Sequence, residues 1–152
     1  MAGITSALCT SFKVELLEGD HDFNNGADTF KVALLKANAS ITGTYGAATT
    51  NYSDVTGNSD ELPNGSGYTT GGYTLTNVNP TSTGTVAFTD FSANAQWTSA
   101  TFTTRGCIIY NSSDGNSAVA MINFGADYSV SGGTFEIQWP TADSSNAIIR
   151  IA

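Results

Sequence analysis

The chain has 152 residues, enough for one domain with a sizeable core. Its hydrophobic content of 40 % and aromatic content of 11 % exclude disorder throughout, yet only 12 % of residues are charged, and Thr, Ser, Asn and Gly take their place. The net charge of −8 reflects a shortage of bases, and Lys13, Lys31, Lys36, Arg105 and Arg150 are too scattered to form a phosphate-binding stripe, so neither nucleic acid nor an anionic membrane is an expected partner.

The N-terminal segment Met1–Leu17 has no basic start and its apolar residues are interrupted by Thr, Ser and Lys, so it does not read as a signal peptide. The expectation is a protein made in the cytoplasm that stays there or leaves by a route other than secretion. The pattern predicts a helix over 4–18, capped by Thr5 or Ser6 and stopped by Gly19. Leu8, Phe12 and Leu16 form its stripe at i, i+4, i+8. Such a helix either covers an open end of a β domain or docks on a neighbouring subunit. Thr29–Lys36 alternates as a strand. From 37 to 72 a long surface excursion with one or two short strands in it is expected, with Tyr45, Tyr52 and Tyr68 either pinning it to the body or serving as contacts.

The remainder reads as short strands over Gly72–Val78, Gly84–Phe91, Ala95–Thr103, Gly106–Asn111, Ser117–Phe124, Gly133–Trp139 and Ala147–Ile151, with turns between them, including Gly125–Gly132. Cys107–Tyr110 and Ala147–Ala152 are apolar beyond alternation and suggest central strands buried on both faces. The expected fold is a single, mainly β domain: an antiparallel β-sandwich with one short N-terminal α-helix, jelly-roll-like first and immunoglobulin-like second. Cys9 and Cys107 have apolar or small neighbours and read as buried thiols, with a single disulfide as the alternative.

Signals for chemistry are weak. His21, the single histidine, lies in the acidic turn Gly19–Asp22, solvated or capping the helix end, and no nucleophile elbow accompanies it. Asp20/Asp22 and Asp60/Glu61 sit in turns where solvent would keep them ordinary. The Asn111–Asn116 turn lacks EF-hand spacing, and no phosphate-cradling glycine loop occurs. No enzyme activity, cofactor or metal is expected. Trp97 and Trp139 lie in strands and are expected in the core, with stacking on a sugar ring as the alternative.

The segments Trp97–Ala100, Thr104–Asn111, Ala118–Gly125, Gly132–Pro140 and Ala147–Ala152, together with Cys9–Lys13 and Asp28–Leu34, resemble small structural proteins of tailed-bacteriophage particles. The resemblance is weakest over Ala37–Gly67. It implies a virion protein made in the host cytoplasm, most simply a capsid decoration (cement) protein. Such a protein would bind the major capsid protein and itself, as a homotrimer, and stabilise the shell. A receptor- or glycan-binding module of a tail or fibre is the alternative within the same group. Leu8, Phe12, Leu16, Arg105 and Arg150 are the candidate interface residues.

Overall fold

The computed structural model describes residues 2–152. The chain is mainly β with antiparallel sheets, and its one longer helix lies near the N-terminus, as expected. Two strands dominate. β8 (Ala95–Asn111) and β9 (Ser117–Ile137) form a hairpin closed by a turn in which Gly115 and Asn116 take positive φ. Earlier strands are β1 (Gly3–Ile4), β2 (Ala7–Leu8), β3 (Phe30–Leu35), β4 (Thr44–Tyr45), β5 (Tyr73–Thr74), β6 (Thr81–Thr83) and β7 (Val86–Thr89), and β10 (Ile149–Ile151) follows the hairpin. The main sheet runs β2-β9-β8-β3-β5, a smaller one runs β10-β7-β6, and β1 pairs with β4 in parallel.

The apolar centre is built on β3 and the inner half of the hairpin. Val32 to Leu35 on β3, Cys107 to Ile109 on β8 and Val119 to Met121 on β9 are almost fully enclosed. The runs are apolar on consecutive positions because both faces of these strands are covered. The burial expected of Cys107–Tyr110 is therefore observed, and both cysteines are free and buried.

Three expectations need correction. The helix α1 spans Thr10–Glu18, and residues before it form β1 and β2; Cys9 is the N-cap and makes no side-chain cap. Pairing of Ala7 and Leu8 with Met121 and Ala120 satisfies backbone groups that a longer helix would have to satisfy internally. Gly19 does end the helix, in a left-handed conformation with its N–H donating to Glu15 O.

Second, no turn separates strands at Gly125–Gly132 or at Thr104. Thr104 pairs with Tyr128 and Gly106 with Asn123, so Phe124–Asp127 bulge out of one continuous strand opposite Arg105. Third, Ala147–Ile151 is not a central strand. β10 lies at the edge of its sheet, with Ile149 buried but Arg150 and Ile151 exposed.

The 37–72 excursion carries short structure, including a short strand as expected. It holds a 3-10 turn at Asn38–Ser40, β4 and a helix α2 (Tyr52–Gly57), whose capping box joins Asn51 and Asp54. Tyr45, Val55, Leu62 and Tyr68 are buried, so its side chains pin it to the body. None of the helices among the described residues is long and apolar enough to cross a membrane.

Candidate interaction surfaces

The polar groups that a reaction could use are bound within the chain. Asp60 is enclosed, and its carboxylate accepts from the Tyr45 hydroxyl at 2.6 Å, Gly43 N–H at 2.7 Å and Thr42 N–H at 3.0 Å. Burial alone would raise this carboxyl, but the donors outweigh it and hold the group below its ordinary value. Glu61 accepts from the Tyr52 and Tyr68 hydroxyls and from Gly71 N–H. Burial first, then the Glu61 carboxylate, pushes both tyrosines well up. These two acids are therefore not the solvated turn residues that the sequence suggests. Their carboxylates tie the excursion to itself, since every donor lies within 37–72, while its backbone joins β3 through the Leu35–Glu61 bridge and the Leu62 N–H bond to Leu34 O.

His21 is likewise enclosed, not solvated, packed against Phe12 with ring centroids 5.0 Å apart. Glu15, His21 and Asp114 each place a donor atom within 4.8 Å of the others, the geometry of a small metal site. The surrounding hydrogen bonds argue otherwise. Asn111 Oδ1 accepts from the N–H groups of Ser113 and Asp114, which turns its amide nitrogen toward Asp28 and His21 Nδ1. Nδ1 is then an acceptor, and Nε2 carries the proton that it donates to Glu15 at 2.9 Å. Ligation at Nε2 would force a proton onto Nδ1, donor against donor with Asn111. Glu15, His21 and Asn111 form a hydrogen-bond bridge from α1 to the end of β8.

Two surfaces gather the exposed apolar groups and most of the candidate residues. The first surrounds α1 and β10. Phe12 points into the core, 1 % exposed, and is corrected from contact residue to packing residue. Leu16 lines an apolar cleft of about 100 Å³ with Phe23, Pro80, Phe88, Ile149 and Ile151. Leu8 and Arg150 share a second cavity, of about 370 Å³, with Val86 and Ile148. Three of the candidate residues thus gather on the two sides of β10. Arg105 does not join them; it faces the bulge, 3.7 Å from Asp127.

The sequence reading missed Val14 and Leu17, which are 52 % and 89 % exposed on the outer face of α1. Their i, i+3 spacing was the available signal, because it places them together opposite the Phe12 stripe.

The second surface is on the outer half of the β8–β9 hairpin. Phe124, Tyr128, Phe135 and Ile137 line an open groove of about 270 Å³, and Tyr128 is half exposed. Trp97 is buried, as expected of a core residue, whereas Trp139 is partly exposed with its indole N–H donated to Ala93 O at 2.9 Å.

No protein-family model, curated protein or solved structure matches this chain. Functional reasoning therefore starts from these two surfaces and from the sequence resemblance.

Proposed function

We propose that the chain is an assembly protein without catalytic activity, and specifically a capsid decoration protein of a tailed-phage particle. The observation that carries this is the apolar surface of α1 and β10. Leu17 and Val14 stand exposed on the outer face of α1, Leu16 on the same helix lines a cleft with Ile151, and Leu8 and Arg150 line a second cavity. Exposed apolar area of this kind, rimmed by polar residues, suits burial against a partner. The partner in this reading is the major capsid protein, and many weak copies would add to a strong hold on the shell. The sequence resemblance supplies the biological setting.

The test is co-sedimentation with empty heads assembled from the phage's major capsid protein. The wild-type chain is expected to co-sediment at hundreds of copies per head. Leu17→Glu is expected to lose that binding while its own stability changes by no more than about 0.5 kcal/mol, since the side chain touches little. Wild-type chain that stays in the supernatant, or Leu17→Glu that binds as well as wild type, defeats the proposal. A handful of copies in purified virions would move the chain to the tail or fibre. In that second reading Tyr128 and the partly exposed Trp139 are the groups that could stack on a host sugar, and tryptophan fluorescence during polysaccharide titration reports it.

A further inference from the structure

We infer that the outer half of the β8–β9 hairpin is the surface through which this chain binds a second copy of itself. Within the main sheet the hairpin is flanked on both sides. β3 follows β8 only as far as Gly106, and β2 meets β9 only at Ala120 and Met121. Beyond those points, residues 95–104 and 128–137 continue as a two-stranded ribbon. On the β8 edge Thr101 N–H donates to Ser66 O and Gly67 packs so closely on the backbone of Thr98–Ala100 that a Cβ would not fit, whereas on the β9 edge no ladder continues among the described residues. A two-stranded ribbon is marginal in water unless a third strand or a packed face supports it.

One face of the ribbon is apolar. Trp97 lies opposite Phe135, Ala95 opposite Ile137, and Phe102 opposite Val130. Tyr68 and Tyr73 cover the Trp97 end, at ring-centroid distances of 6.2 and 5.8 Å. The other end is the open groove at Phe124, Tyr128 and Phe135. The aromatic contacts run unbroken from buried Tyr68 through Trp97, Phe135 and Phe124 to exposed Tyr128.

Charge selects the occupant. Two copies of a chain at −8 repel wherever acidic surface meets acidic surface. In the ribbon the only formal charge is Glu136, whose carboxylate is bonded by the amides of Asn94, Gln96 and Gln138. Its opposite face is hydroxyl-rich, with Thr103 and Ser129 bonded at 2.7 Å. Edge strands that must remain single usually carry Lys, Pro or a short length. Ten residues on each strand here carry no Lys and no Pro. A strip with a single formal charge and a half-covered apolar face fits a second copy of the same strip better than it fits any strongly charged partner.

This inference depends on the assembly reading only for its biological setting, and it is tested apart from it. The full chain is examined by sedimentation velocity from low micromolar concentration upward, alongside Tyr128→Glu, Thr134→Lys and Leu17→Glu. Tyr128 and Thr134 are exposed, so near-UV circular dichroism should match wild type. The wild-type chain is expected to sediment as an oligomer. Each ribbon variant should weaken self-association at least about tenfold, and Leu17→Glu should leave it intact. A wild-type chain that stays monomeric at every concentration overturns the inference, whether or not it binds heads. So does an oligomer that the ribbon variants leave intact, or a monomer whose tyrosine fluorescence responds to host polysaccharide, which would assign the groove to a sugar.

Discussion

At Asp60 two effects oppose each other on one carboxyl. Enclosure disfavours the charge, while the Tyr45 hydroxyl and the N–H groups of Gly43 and Thr42 favour it, and the second effect wins. The folded carboxyl therefore titrates below its ordinary value of 3.8, which is the unfolded reference. Between the two values the unfolded chain binds more protons. The stabilisation is complete above pH 3.8 and is lost as pH falls further toward the folded value. Asp60→Asn should cost about 3 kcal/mol at neutral pH, because a neutral amide nitrogen faces donors that it cannot accept from. It should also flatten the acid limb of stability against pH, measured by urea unfolding from pH 7 to below pH 3. An unchanged acid limb would contradict this account. Asp90 works in the opposite sense: burial raises its carboxyl despite donation from Phe91 and Ile148 N–H, so its contribution declines as pH rises through the folded value. None of this was legible in the sequence. Asp60 sits in a run of polar residues and Asp90 interrupts an apolar strand pattern beside Phe91, and only long-range packing encloses them.

Among the elements, β3 and β5 illustrate how little room their contact leaves. Gly72 precedes β5 with φ of +79°, and a Cβ added there would lie 1.9 Å from Val32 O on β3. Neither that backbone nor Ala33 can retreat, since β3 is held between β5 and β8. Gly72→Ala should therefore lose about 3 kcal/mol or more, from the left-handed strain and from displaced backbone together. Gly26 has a similar φ of +86° but nothing within 4 Å. Its alanine variant should lose only about 1 kcal/mol, and the gap between the two urea midpoints isolates the steric part. Element types were read well where period and length agreed, as in β3. They were read poorly where a strand carries a glycine bulge, because Gly125 within β9 has the same local signature as a turn. The two helices show the same contrast. The Gly19 stop of α1 was visible, but its start was taken from hydroxyl residues that belong instead to the β1–β2 segment.

For the whole molecule, the two thiols report whether it opens as one unit. Cys9 joins β2 to α1, and Cys107 lies at the centre of β8. Burial pushes the Cys9 thiol up to about 11 and Cys107 higher still, so neither should react at neutral pH while folded. Labelling with an aromatic disulfide reagent is expected to modify both at one common slow rate, set by global opening. Faster modification of Cys9 would show that the N-terminal segment peels away first, despite its pairing with β9 and the Cys9 N–H bond to Val119 O.

The sequence by itself determined the fold class, the enclosure of Cys107–Tyr110 and the scarcity of positive charge, since strand period, apolar runs and composition are local properties of the chain. Tertiary structure alone decided which strand ends continue past the sheet and that the C-terminal strand lies at an edge. Those outcomes depend on which distant segment arrives to cover a given face, such as residues 7–8 meeting 120–121. No window of neighbouring residues contains that information.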